Sequence, residues 1–144
     1  MKYIFIAIIF SLSSSFAYSQ ELSLEKYLTD YTYESRKEMK IGSEQLVALL
    51  KKGEAILIDV RFLEEYKSWN MPVAKHIPLP ELPQRLTEID KTKIIVTACP
   101  HKDRAIIGML YLKTRGFSVK YLDDGLTGLA EYLRGDKAKF FINK

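Results

Sequence analysis

The chain has 144 residues, 47% of them hydrophobic and 28% charged, with a net charge of +4. That is enough apolar material for one domain with a real core, while so mild and dispersed a positive excess excludes a nucleic-acid binder built on basic runs. A single cysteine, Cys99, excludes an internal disulfide, so its thiol is buried, paired with another chain, or used.

Taken in chain order, residues 1–20 open with Lys2, continue through the apolar run 3–12 and end in small residues, the layout of a cleavable secretory signal peptide. The run is shorter than the roughly 20 residues that span a bilayer. The expectation is therefore an exported protein, periplasmic or secreted, with no stable membrane insertion after cleavage. Residues 21–40 (ELSLEKYLTDYTYESRKEMK) are polar and tyrosine-rich without a clean period. They read as an N-terminal extension that either packs back on the domain or mediates a homodimer. Tyr27, Tyr31 and Tyr33 are its packing or partner surface.

From 41 to 144 short β-branched runs alternate with amphipathic stretches, which predicts an α/β fold with a central parallel sheet flanked by helices. Strands are expected at 55–60 (AILIDV), 93–98 (KIIVTA) and 117–122 (FSVKYL), with a shorter one near 74–77; their continuous apolar character suits buried parallel strands. Ser43 is a candidate N-cap for a helix that carries Leu46, Val47, Leu49 and Leu50 and stops at Gly53. Further helices are expected over 62–69, 81–88, 103–116 and 126–133. In the third of these, Ile106, Ile107, Leu110 and Tyr111 fall on one face at helical spacing. Trp69 is expected in the core and His76 in a structural turn.

The chemistry concentrates where the strand 93–98 ends, the loop CPHKDR follows over 99–104, and a helix begins. The carboxyl end of a parallel strand is where open α/β sheets place their ligands. The unpaired N–H groups and dipole of the following helix stabilise a thiolate or an anion there. Cys99 is the candidate nucleophile. His101, Lys102, Asp103 and Arg104 form the candidate substrate-binding loop, with Asp103 also a candidate helix cap and His101 able to change charge near neutral pH. Pro100 has no N–H, which leaves residues 100–104 at most four backbone donors.

The segments LIDVR (57–61), EEY (64–66), VAKHIPL (73–79), IIVTAC (94–99) with its C-x-x-x-x-R loop, and RGFSVKYLDDGL (115–126) together resemble the rhodanese family. The resemblance implies a rhodanese-like three-layer fold over 41–144, and a cysteine that takes sulfane sulfur as a persulfide from thiosulfate or polysulfide and passes it to a thiol or cyanide. Four residues between Cys99 and Arg104 match the sulfurtransferase spacing, one fewer than in related phosphatases and arsenate reductases. The resemblance also implies that Asp59 faces the cysteine loop in support and that Arg61 pairs with Glu65. The chain departs from the family pattern at Pro100, in its lack of a loop glycine, in NMPVA at 70–74, and at Leu129 where a tryptophan is common.

Two functions follow as expectations. The first is an exported sulfurtransferase whose partners are a small anionic sulfur donor and a thiophilic acceptor. The alternative is a sulfur-carrier or partner-binding module without turnover. No cofactor is expected, since neither G-x-G-x-x-G nor a P-loop occurs. No metal is expected either, since one cysteine with His76 and His101 falls short of a zinc set.

Overall fold

The computed structural model describes residues 22–142. Its centre is a five-stranded sheet in the order β1-β5-β4-β2-β3, formed by β1 (Lys40–Ile41), β2 (Ala55–Asp59), β3 (Lys75–His76), β4 (Ile94–Ala98) and β5 (Val119–Leu122). All four pairings are parallel. Leu57 lies beside Val96, Ile58 beside Thr97 and Asp59 beside Ala98. Alternate residues of each central strand enter different cores, which explains why the strands read as continuous apolar runs.

On one face, Leu57, Val96 and Leu122 pack with Leu46 and Val47 of α3 (Ser43–Lys52) and with Leu126 and Leu129 of α6 (Gly125–Tyr132). On the other, Ile58, Ile95 and Tyr121 pack with Ala105, Met109 and Leu112 of α5 (Asp103–Thr114). Each fully buried leucine or isoleucine contributes about 1.5–3 kcal/mol, so both layers hold the sheet firmly under the loops at its carboxyl edge. Cys99 belongs to the second core.

Several elements differ from the sequence expectation. Ser43 is the first residue of α3 and Gly42 holds the N-cap position. The Ser43 hydroxyl caps nothing: it is buried without a hydrogen-bond partner, although its backbone N–H donates to Asp124 Oδ2 at 3.3 Å. The helix expected over 81–88 is replaced by two 3₁₀ segments, Leu79–Gln84 and Leu86–Glu88. Pro80 and Pro83 each lack the N–H an α-helix needs. Arg85, between the two segments, clamps Glu81 and Glu88. The α4 helix (Leu63–Ser68) stops short of Trp69, which is 39% exposed rather than in the core. A further short helix, α7 (Asp136–Ile142), follows α6.

The largest revision concerns α5. Its buried face is Ala105, Gly108, Met109 and Leu112, whereas Ile107 of the expected apolar stripe is 55% exposed. Both sets have helical spacing. Small residues at 105 and 108 let the helix approach the sheet, and a Cβ added to Gly108 would lie 3.4 Å from the Thr97 side chain.

Ile106, Leu110 and Tyr111 of the expected stripe are half-buried and still pack against the second core, while the outer edge of the stripe meets the N-terminal extension. There α1 (Leu24–Thr29) brings Leu24 beside Ile107, Leu110, Tyr111 and Thr114 around a groove of about 290 Å³. After α2 (Tyr33–Glu38), the chain joins the sheet as β1, and Tyr121 N–H donates to Met39 O at 2.9 Å. Of the two alternatives for residues 21–40, the described part, from Leu22, packs back on the domain. Tyr31 donates its hydroxyl to Met39 Sδ at 3.0 Å and meets Tyr27 edge-on at 5.9 Å, while Tyr33 stays exposed. The export signal expected over 1–20 lies outside the described residues. Among the described residues no helix is long and apolar enough to cross a membrane.

Candidate active site

Cys99 directly follows β4, at the carboxyl edge of the sheet and with no exposed surface. Its position is fixed by three hydrogen bonds around it, two between backbone groups and one from a side chain. Val60 N–H donates to Ala98 O at 2.9 Å and Leu126 N–H donates to Cys99 O at 2.9 Å. Thr97 Oγ1 donates to Ala105 O at 2.7 Å, tying the strand end to the first turn of α5.

The start of α6 holds the far side of the loop. Thr127 Oγ1 donates to Pro100 O at 2.8 Å. Gly125 has φ +65°, and a Cβ there would meet Pro100 O at 2.3 Å and His101 O at 2.6 Å, both backbone atoms. Only glycine combines that left-handed conformation with so close an approach. Gly125, Thr127 and the Leu126 N–H therefore shape the loop, although sequence reasoning assigned them no role. The one available signal was the LDDGL segment.

Around the sulfur, the backbone N–H groups of His101 and Ala105 favour a thiolate. The second of these lies just beyond the loop that supplies the expected donors. Asp103 Oδ1 accepts a hydrogen bond from Cys99 Sγ at 3.4 Å. Burial pushes the Cys99 thiol up; the Ala105 and His101 N–H groups oppose this, and Asp103 reinforces it, leaving the thiol above its ordinary range. Burial and the Asp103 contact therefore work against the thiolate stabilisation expected from a helix N-terminus with a nearby arginine. Asp103 is also not the N-cap: Lys102 holds that position without a side-chain cap bond, and Asp103 lies in the first turn.

The loop cations are turned to other partners. Arg104 donates to Glu65 of α4 through Nη1 at 2.5 Å and Nη2 at 2.9 Å, and its guanidinium stands 5.8 Å from the Phe62 ring. This hydrogen-bonded pair holds the Glu65 carboxyl below its ordinary range and the Arg104 guanidinium above its own. Lys102 pairs with Asp123 at 3.1 Å, and Lys40 meets the same carboxylate at 3.1 Å. His101 is exposed.

The expected Arg61–Glu65 pair is not formed. Arg61 and Asp59 are both fully buried and bind each other, with Nη2 donating to Asp59 Oδ2 at 2.6 Å and Nε to Oδ1 at 3.0 Å. Arg61 Nη2 also donates to Trp69 O at 2.9 Å, and its guanidinium lies 4.1 Å from the Trp69 ring centroid. His76 stacks on Tyr66 at 4.0 Å and bonds the Arg61 carbonyl at 2.9 Å. Asp59, Arg61, Trp69 and His76 thus frame the strand ends, and the Asp59 carboxylate is engaged by Arg61. Among the described residues no group of histidine, cysteine and acidic side chains forms a metal cluster.

The profile of the rhodanese-like domain family matches residues 43–132. The thiosulfate sulfurtransferase GlpE of Pseudomonas syringae is 33% identical over 86 residues, covering 60% of this chain and 80% of that protein. An HTH-type transcriptional regulator of Mycobacterium tuberculosis is 35% identical over 91 residues, and there the match spans 62% of this chain but only 40% of the regulator. Among solved structures, a thiosulfate sulfurtransferase from Pseudomonas aeruginosa superposes with a TM-score of 0.61 at 27% identity, covering 71% of this chain and 20% of that one.

Proposed function

This chain belongs to the rhodanese-like domain family, and we propose that it acts as a sulfurtransferase in which Cys99 accepts sulfane sulfur as a persulfide, from thiosulfate or polysulfide, and passes it to a thiol or cyanide. Similarity to proteins named thiosulfate sulfurtransferase supports the reaction class. The observation that carries the reading is the placement of Cys99 after a buried parallel strand, with the N–H groups of His101 and Ala105 directed at its sulfur. Those donors sit where charge collects on a transferred sulfur, and preorganised donors of that kind lower the barrier to transfer. The export expected from residues 1–20 is part of the same proposal, and places the reaction outside the cytoplasm.

Sulfur transfer from thiosulfate balances as follows. The Cys99 thiolate attacks the outer sulfur of thiosulfate, the S–S bond breaks, and sulfite leaves with the bonding pair. The acceptor thiolate or cyanide then attacks the outer sulfur of the persulfide and restores Cys99. The test is intact mass, without reductant, after incubation with either donor. The native chain is expected to gain one sulfur atom and the Cys99→Ser variant none. A folded native chain with a free thiol that gains no sulfur from either donor overturns the reading.

The complete burial of Cys99 favours a second reading, a sulfur carrier serving one dedicated partner. Repeated turnover with free cyanide separates the two, because a carrier loads once and stops.

A further inference from the structure

Pro100 deprives the loop of one backbone donor, and the N–H groups that face the Cys99 sulfur are those of His101 and Ala105. These two are held differently. The Ala105 N–H belongs to the first turn of α5, which Thr97 Oγ1 ties to the end of β4 at 2.7 Å. The His101 N–H lies in the bend between β4 and α5, where no helix fixes its direction. The other end of its own peptide unit does. The Pro100–His101 bond is trans, and in a planar trans peptide the C=O and N–H point in opposite directions. Whatever holds Pro100 O therefore aims the His101 N–H. Thr127 Oγ1 donates to that oxygen at 2.8 Å and the Thr127 N–H approaches it at 3.4 Å. Gly125 packs so closely that a Cβ there would lie 2.3 Å from it. A helical threonine ordinarily turns its hydroxyl to a carbonyl one turn back in its own helix, whereas this one reaches a residue 27 positions away. A bond accepted at the carbonyl also polarises the amide and strengthens its N–H as a donor.

We propose that Thr127 is a positioning residue for sulfur transfer: its hydroxyl, through Pro100 O, aims and polarises the His101 N–H toward the charge that collects on the Cys99 sulfur. This rests on the sulfurtransferase reading and adds to it a residue of α6, outside the cysteine loop. Thr127 acts through the peptide unit rather than on the sulfur, and its side chain is exposed, so the hydroxyl can be removed without opening a cavity in either core.

The test compares the native chain with Thr127→Val, which keeps the branched shape and removes the hydroxyl, and with Thr127→Ser, which keeps the hydroxyl. Because Cys99 is the only cysteine, the pH profile of alkylation by iodoacetamide reports one thiol. The ionisable groups of the surrounding elements are the same in all three proteins: Asp103 and Arg104 of α5, Glu65 of α4, Asp59 at the end of β2, and His101 and Lys102 of the loop. Thr127→Val is expected to move the alkylation midpoint up, leaving about threefold to tenfold less thiolate at a fixed pH, the size of one hydrogen bond. Sulfur loading from thiosulfate is expected to slow about tenfold, short of the roughly hundredfold that follows outright removal of such a donor. Thr127→Ser is expected to keep the native midpoint and the native loading rate.

The sign of the shift separates positioning from mere closure of the loop. A hydroxyl that only held the loop shut would, once lost, admit water to a thiol whose acidity is suppressed by burial, and the midpoint would move down. A downward or unmoved midpoint in Thr127→Val, or a Thr127→Ser chain that behaves as Thr127→Val does, overturns the proposal while the sulfurtransferase reading stands. A native chain that takes up no sulfur overturns both. Should Thr127→Val not fold, Thr127→Ala removes the same hydroxyl and carries the same expectations. In the native chain itself, the His101 amide proton resonance is expected to move downfield as Cys99 ionises, and a resonance that ignores that titration also overturns the proposal.

Discussion

Two arginine–carboxylate pairs flank the loop, and they differ in almost everything except chemistry. Arg61–Asp59 is fully buried, its partners two residues apart across the end of β2. Arg104–Glu65 joins the first turn of α5 to α4, with Arg104 23% and Glu65 36% exposed in their side chains. A buried pair gains little over an apolar equivalent, yet either member alone leaves an uncompensated charge in a dry interior. A rim pair is screened by water and contributes little to stability, but from the rim its charge still acts on a nearby sulfur. The first pair is therefore framework and the second a tuning device for Cys99.

The sharpest way to break this comparison is Arg61→Met. It strands the Asp59 carboxylate and removes the hydrogen bond to Trp69 O together with the stacking on the Trp69 ring, so the expected loss is about 3–5 kcal/mol in urea unfolding. Replacing both partners, as Asp59→Leu with Arg61→Met, is expected to recover more than half of that loss. If the double variant is as unstable as the single one, charge stranding is not what the pair guards against.

These two pairs also show what was legible in the sequence. The alternation of apolar runs and amphipathic stretches was sufficient for the parallel sheet, because buried strands write their environment directly into composition. The position of Cys99 after β4 followed from the same pattern. Partner choice was not legible: Arg61, Glu65 and Arg104 were all in view, but which carboxylate each arginine takes depends on distances between the β2 end, α4 and α5 that no local pattern records. The negative charge of Asp103 beside Cys99 was in view, whereas the complete burial of the thiol was not, since burial is a tertiary fact. In α5 two faces shared the same periodicity, and only close approach at Gly108 decides which one is buried. Proline chemistry at Pro80 and Pro83 was visible and could have argued against the helix at 81–88.

A smaller effect sharpens the contrast at the rim. Arg104→Gln is expected to change unfolding stability by less than about 1 kcal/mol. Its signature is instead a Cys99 alkylation profile displaced to higher pH, because the arginine charge that opposes burial of the thiolate is gone. A stability loss as large as that of Arg61→Met, with an unmoved profile, would reverse the assignment of the two pairs.

The smallest expected effect is the pH dependence carried by Glu65. Hydrogen bonding to Arg104, opposed by burial, holds its folded carboxyl below the ordinary value of 4.5. A depressed folded pKa means that the unfolded chain binds the proton first, so the stabilisation is fully present above about pH 4.5 and disappears as pH falls through the folded value. Comparing urea midpoints of the native chain and Glu65→Gln from about pH 6 down to about pH 3 should show a gap that narrows with acidification. A gap that stays constant over that range would mean that Glu65 acts through its packing rather than through its charge, and the rim pair would then be structural like the buried one.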